Sequence, residues 1–380
     1  MRLNADWIAR AETRSVCDAL TGAGYRALFV GGCVRNTIIG APVADIDIST
    51  DARPETVTNL AKSAGLRVVP TGFDHGTVTV VAGGIAHEVT TFRRDVETDG
   101  RRAVVAFSED IALDAARRDF TMNALYADPD GIVIDPLGGL PDLLSRTVRF
   151  VGDAQARITE DYLRILRFFR FHAWYGDPAG GIDPEGLAAC AANIDGLVTL
   201  SRERVGAEMR KLLSADDPAP SLAAMEATGV LSHILPGATV RPLTVLIHLE
   251  ADIAPDWLRR LAVMGGDAGF DSLRLSRVES RKLAQIKDEI GSMRSLAEIA
   301  WRHGAGISCD VALARGAVFE AQLPSDWKAQ IDQGVAAVFP VAAADLMPGL
   351  QGPALGDRLR VLEARWISSG FALTKAQLLG

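Results

Sequence analysis

Read for the spacing of apolar and polar positions, the chain changes texture near residue 150. Residues 1–24 read as a helix that ends near Gly22 and Gly24. From about 27 to 135, short apolar runs alternate with turns. The runs are Ala27-Leu28-Phe29-Val30, Arg67-Val68-Val69 and Thr77-Val78-Thr79-Val80-Val81, and the turns fall at Gly72, Gly76 and Gly83-Gly84. His87 to Arg93 reads as a further strand, and Ile132-Val133-Ile134 runs into the turn Asp135-Pro136-Leu137-Gly138-Gly139. After Phe150 the periodicity becomes helical and stays so. Within Arg157–Phe171 the spacing predicts one helix, with Ile158, Tyr162, Ile165, Leu166 and Phe169 on its apolar face. Loops are expected at 176–181 and 216–220, where proline and glycine gather. The class this predicts is α+β, a mixed α/β domain followed by an all-helical remainder.

The length, 380 residues, exceeds one ordinary core and points to two or three domains. Hydrophobic residues make up 48% and charged residues 23%, as in soluble globular proteins. The four cysteines are scattered with no C-x-x-C, which speaks against a zinc site or disulfide framework and fits a reducing cytoplasm. Charges run through the first 14 residues, so no signal peptide is expected. No apolar run has the length needed to span a membrane. A net charge of −8 weakens a nucleic-acid reading until the arginines are mapped. Arg93, Arg94, Arg101, Arg102, Arg117 and Arg118 form one group, and Arg157, Arg164, Arg167 and Arg170 another. A locally basic cleft on an acidic protein is compatible with this distribution.

Candidate chemistry concentrates at Gly31-Gly32-Cys33-Val34-Arg35 and Asp45-Ile46-Asp47. Side chains two apart on a strand share a face, and two carboxylates held together repel unless a cation lies between them. Oxygen ligands of this kind suit Mg²⁺, which takes one or two carboxylates plus substrate phosphates. The paired glycines let backbone N–H groups approach a triphosphate. Glu88 is a candidate third carboxylate; the plainer alternative is an exposed residue on an edge strand. In Arg117-Arg118-Asp119, guanidinium groups suit phosphate, and Asp119 either accepts from ribose hydroxyls or caps a helix starting at Phe120. Asp161, Arg164, Arg167 and Arg170 follow an i, i+3 stripe. The stripe is either a solvated salt-bridge face or a base-reading one. A carboxylate accepts from the amine of cytosine or adenine and repels the carbonyl oxygen that uracil and guanine present.

Together these stretches resemble the class II CCA-adding tRNA nucleotidyltransferases of the tRNA nucleotidyltransferase/poly(A) polymerase family. The matching runs are GGCVRN (31–36), DID (45–47), TGFDHGTVTVV (71–81), HEVTTFRRD (87–95), the RRDFTMNAL run around 118, DPLGG (135–139), EDYLRILRFFRF (160–171) and SRERVGAEMRKLL (201–213). The resemblance implies a polymerase β-like nucleotidyltransferase head over 1–148, a helical neck over 149–214, and a helical body and tail over 215–380 that bind tRNA. It implies addition of C, C and A to the 3′ end of tRNA from CTP and ATP, without a template. Carried over by position, Asp45 and Asp47 hold the metal, with Glu88 as the third catalytic carboxylate. Gly31, Gly32, Arg35, Arg118 and Asn123 lie at the nucleotide, with Asp119 at the ribose. Asp161 and Arg164 select the base, supported by Arg167 and Arg170. Ser201 is expected to cap the helix that follows it. Asn36 departs from the aspartate usual at that position. No His-Asp dipeptide occurs, so the phosphohydrolase domain fused to some members is not expected in these residues. A bacterial poly(A) polymerase, the nearest rival, typically carries Gly-Arg-Arg-Phe-like sequence after the metal motif, where this chain has Gly72-Phe73-Asp74-His75-Gly76-Thr77.

Overall fold

The computed structural model describes all residues except 70, 71, 74, 75, 100, 101, 267–271 and 348. Asp74, His75 and Arg101, which entered the sequence reading, therefore lie outside the described residues. The chain divides into two compact units, Met1–Gly237 with Asp271–Arg274, and Ala238–Phe270 with Leu275–Gly380.

The first unit opens with α1 (Asp6–Ala9) and α2 (Ala11–Thr21). The single helix expected over 1–24 is thus two, because Arg10 is extended (ψ 136°). The break lets Trp7 turn onto Phe29, edge to face at 4.8 Å, and donate its indole N–H to Thr37. There follow β1 (Leu28–Val30), α3 (Gly32–Ile39), β2 (Ile46–Thr50), α4 (Pro54–Ser63), β3 (Arg67–Val69), β4 (Thr77–Ala82) and β5 (Ile85–Thr91). Next come β6 (Arg93–Asp99), β7 (Arg102–Phe107), α5 (Ile111–Ala116), β8 (Tyr126–Ala127) and β9 (Val133–Ile134). Seven strands form one sheet in the order β3-β4-β5-β2-β1-β8-β9, and β6 pairs with β7 apart from it. All pairings are antiparallel except β2 with β5, a parallel pair that needs the long crossover through α4, β3 and β4.

Beyond β9 the unit is helical: α6 (Leu140–Leu144), α7 (Ala154–Glu160), α8 (Leu163–Tyr175), α9 (Pro184–Ala192), α10 (Arg202–Leu213), α11 (Ala219–Ala227) and α12 (Val230–Ile234). The helix expected over Arg157–Phe171 is interrupted at Asp161, which is extended (φ −156°, ψ 103°). The Asp161 carboxylate accepts from the Leu163 amide, the local competition by which aspartate starts helices rather than continuing them. Ser201 does cap α10, accepting from the Arg204 amide at 3.4 Å. Phe120, on the sheet domain, bridges to Phe150 and packs against Phe171 of α8 at 4.9 Å, while Phe150 stacks on Phe168 at 5.3 Å. This aromatic layer fixes α8 against the sheet domain, each ring pair adding about 0.5–1.5 kcal/mol beyond its burial. The second unit is all helical, from α13 (Arg241–Glu250) through α14 (Trp257–Met264), α15 (Arg277–Ile290), α16 (Leu296–His303), α17 (Ala305–Val318), α18 (Trp327–Ala336) and α19 (Gly352–Ser368) to α20 (Lys375–Leu379). Its core holds a buried ion network in which Glu250 accepts from Arg259 and Arg260 while Asp310 accepts from Arg259. No helix among the described residues is long and apolar enough to cross a membrane.

Candidate nucleotide and metal site

The β2–β5 register sets Asp47 directly beside Glu88. Alternation sends Ile46, Ile48, His87 and Val89 into the core and leaves Asp47 and Glu88 on the other face. Glu88 is exposed, but its strand is interior to the sheet, between β4 and β2, so the edge-strand alternative does not hold. Asp45 is exposed just before β2 begins. Burial, together with the neighbouring Glu88 and Asp45 charges, pushes the Asp47 carboxyl up to about 6, with Arg118 acting in the opposite direction. Such a carboxylate gains from a cation. Among the described residues no three histidine, cysteine or acidic side chains stand together as a metal-ligating group. The donor set here fits a hard ion held by two carboxylates and completed by phosphate and water, which is the habit of Mg²⁺.

Behind β1 the chain turns at Gly31, whose φ of 67° and ψ of −119° suit glycine alone. A Cβ there would lie 3.6 Å from Arg118 Nη1, and one on Gly32 would lie 3.9 Å from Arg35 Nη2. Two guanidinium groups thus flank the open backbone at the start of α3. Arg118 is held by its surroundings: Nε donates to the Tyr126 hydroxyl at 3.1 Å, and Nη2 donates to Asp114 at 3.0 Å and to Ser49 at 3.4 Å. Ser49 lies two residues beyond Asp47 on β2, which brings Arg118 to the carboxylate face. Asp114 is fully buried and also accepts from Arg117 and from the Tyr126 hydroxyl. The sequence reading missed Asp114 and Tyr126. The i, i+3 and i, i+4 spacing of Asp114 to Arg117 and Arg118 was a usable signal; nothing in the sequence pointed to Tyr126.

Asp119 does not cap an α-helix. Phe120 is extended and a single 3-10 turn, Thr121–Asn123, follows. One Asp119 oxygen accepts from the Phe120 amide and the Asn123 side chain, both at 2.9 Å, and the other accepts from Arg167. Against the upward push of burial, these donors hold the Asp119 carboxyl down to about 2. Asn123 in turn accepts from Arg35. Gly31, Gly32, Arg35, Arg118, Asp119, Asn123 and Arg167 therefore form one connected region.

The other three expected residues are engaged separately. Asp161 accepts from Arg204 of α10 at 2.6 Å, and Arg164 donates to Glu160 at 2.6 Å, so the two are not paired with each other. Arg170 donates to Glu208 and lies over the Phe171 ring. The solvated stripe drawn from the i, i+3 spacing is in fact a row of specific ion pairs, two of them to α10, one to Glu160 of α7 and one to Asp119.

The poly A polymerase head domain matches residues 27–149, and the probable RNA- and SrmB-binding site of polymerase A matches 181–240. Over these two stretches the chain matches the tRNA nucleotidyltransferase/poly(A) polymerase family. Within it, the chain is 37% identical over 254 residues to the human mitochondrial CCA tRNA nucleotidyltransferase 1, a stretch covering 62% of this chain and 58% of that protein. It is 42% identical over 222 residues to the CCA-adding enzyme of Levilactobacillus brevis, covering 58% and 54%. These alignments span little more than half of the relatives' length. The solved CCA-adding enzyme of Bacillus stearothermophilus in complex with CTP superposes with a TM-score of 0.73 at 27% identity, covering 94% of this chain and 92% of that one. The family's nucleotidyltransferase head generally works with divalent metal ions.

Proposed function

We propose that this chain adds C, C and A to the 3′ end of tRNA from CTP and ATP, without a nucleic-acid template, releasing pyrophosphate. The observation that carries the reading is the Asp47–Glu88 pair across parallel strands, set beside a glycine turn and the anchored Arg118. The names of the relatives fit it. Residues 1–148 would form the catalytic head, 149–214 the neck, and 215–380 the body and tail that hold tRNA. Asp45 and Asp47 would hold Mg²⁺, with Glu88 as the third carboxylate; the ion would supply charge neutralisation at the α-phosphate and a more acidic 3′-hydroxyl. Arg35 and Arg118 draw the triphosphate onto the Gly31-Gly32 turn, and Asp119 faces the ribose. Asp161 and Arg164, once turned from Arg204 and Glu160, read the base, with Arg167 and Arg170 steadying the nucleotide. We place the protein in the cytoplasm because its four cysteines are unpaired.

The test is incorporation of labelled CTP and ATP, with Mg²⁺, into tRNAs ending before CCA, after CC, and complete. The reading expects C, C and A, stopping at the complete end. Addition of one nucleotide type alone identifies a partial enzyme, a long A tail a poly(A) polymerase, and no incorporation an RNA-binding protein that keeps the fold.

A further inference from the structure

Arg35 is 6% exposed, yet among the described residues its side-chain hydrogen bonds go to neutral acceptors. Its Nε and Nη2 donate to the Asn36 side-chain oxygen at 3.0 and 2.8 Å, Nη1 donates to the Asn123 side chain, and Nη2 also donates to the Tyr175 hydroxyl at 2.8 Å. The guanidinium carbon stands 3.9 Å from the centre of the Tyr175 ring and 5.2 Å from that of Phe171. Two more arginines crowd the same Phe171 ring, Arg167 at 5.4 Å and Arg170 at 4.4 Å. Each of these has its own carboxylate, Asp119 and Glu208. Asp119 also acts on Arg35 through space, but its oxygens are taken by Arg167, Asn123 and the Phe120 amide.

A buried cation without a bonded counter-ion is costly to keep. Asn36 makes this sharper: its amide oxygen fixes the guanidinium without neutralising it. Tyr175, at the end of α8, supplies the rest of the support from another element, a π face against the guanidinium plane and a hydroxyl at its edge. The Arg35 Nη2 edge lies beside the Gly32 backbone, where a Cβ would stand 3.9 Å away.

We infer that Tyr175, acting with Asn36, is a positioning residue that holds Arg35 in one orientation with its charge unspent, ready for the phosphate groups of the incoming nucleoside triphosphate. This rests on the nucleotidyl-transfer reading above. It ties the last turn of α8 to triphosphate binding at the glycine turn, so one helix serves both base and phosphates.

The test uses the full-length protein, with KM and kcat for CTP and the binding of CTP and of inorganic tripolyphosphate. Tyr175→Phe keeps the ring and is expected to raise the KM for CTP about threefold; Tyr175→Ala raises it about tenfold or more, with kcat within about twofold. Tripolyphosphate binding weakens in parallel and tRNA binding does not. Asn36→Asp, which gives Arg35 a bonded carboxylate, also weakens tripolyphosphate binding. Where Tyr175→Ala fails to fold, Tyr175→Phe and Asn36→Asp carry the test. Wild-type KM and tripolyphosphate affinity in the folded variants overturn the assignment while leaving the functional reading intact, as does a loss confined to kcat. A wild-type protein that binds neither CTP nor tripolyphosphate overturns both.

Discussion

At the residue scale, Asp47 and Asp119 are carboxylates driven in opposite directions. Asp47 is pushed up by burial and by Glu88, a setting that a nearby cation would relieve. Asp47→Ala is expected to lower nucleotide incorporation by more than about a hundredfold while tRNA binding, measured by filter retention, stays within about twofold. Normal turnover would remove Asp47 from the metal site. Asp119 is held below its ordinary value, to about 2, so the folded state binds its proton less readily than the unfolded one. Its contribution to stability is therefore present above about pH 4 and is lost as pH falls towards 2, about 2 kcal/mol in all. In Asp119→Asn that part of the acid dependence disappears. Comparing unfolding free energies of the two proteins from pH 6 to pH 2 checks the sign: the wild-type advantage must shrink as acid is added.

At the element scale, α7 and α8 show what the sequence could and could not carry. Their apolar positions were largely legible: Ile158, Ile165, Leu166 and Phe169 are buried, while Tyr162 is half-buried. The break between the helices was not, since Asp161 satisfies the helical period as well as it satisfies a cap. The strands β3, β4 and β5 were readable from runs of β-branched residues, and the DID motif from its spacing. The partners were hidden: which acceptor meets Arg170 or Arg35 depends on how α8 lies against α10 and the sheet domain, and local spacing has no record of that. For the same reason Arg204 and Glu208 were not foreseen, whereas Glu160, four residues before Arg164 and three after Arg157, left a local signal. If Asp161 and Arg164 read the base, Arg164→Ala is expected to admit UTP and GTP at about tenfold higher relative rates, with little change in metal requirement. Continued exclusion of both nucleotides would move base selection elsewhere. Gly139 provides a packing test: a Cβ there would meet the Thr121 carbonyl oxygen at 2.3 Å. Gly139→Ala is expected to lose about 1–3 kcal/mol in chemical denaturation.

At the scale of the whole molecule, an acidic chain gathers several arginines around the glycine turn proposed to hold the triphosphate. Net charge is −8, yet Arg35, Arg118 and Arg167 gather around Asp119, Asn123 and the Gly31-Gly32 turn. Binding of tRNA is then expected to depend on local rather than net charge. With roughly three phosphates engaged, affinity falls about twentyfold between 50 and 200 mM salt. A flat salt response by fluorescence anisotropy would mean that phosphate contacts contribute little. The backbone also leaves the first compact unit after Gly237, returns for Asp271–Arg274, and leaves again. The return is tightly built: a Cβ on Gly206 would lie 2.0 Å from the Leu273 carbonyl oxygen, and Arg274 pairs with Glu203 at 3.0 Å. A chimera that borrows its C-terminal unit from a relative through one junction at 237 would therefore bring in a foreign peptide against α10; a two-junction graft that keeps the host's own 271–274 preserves the seam.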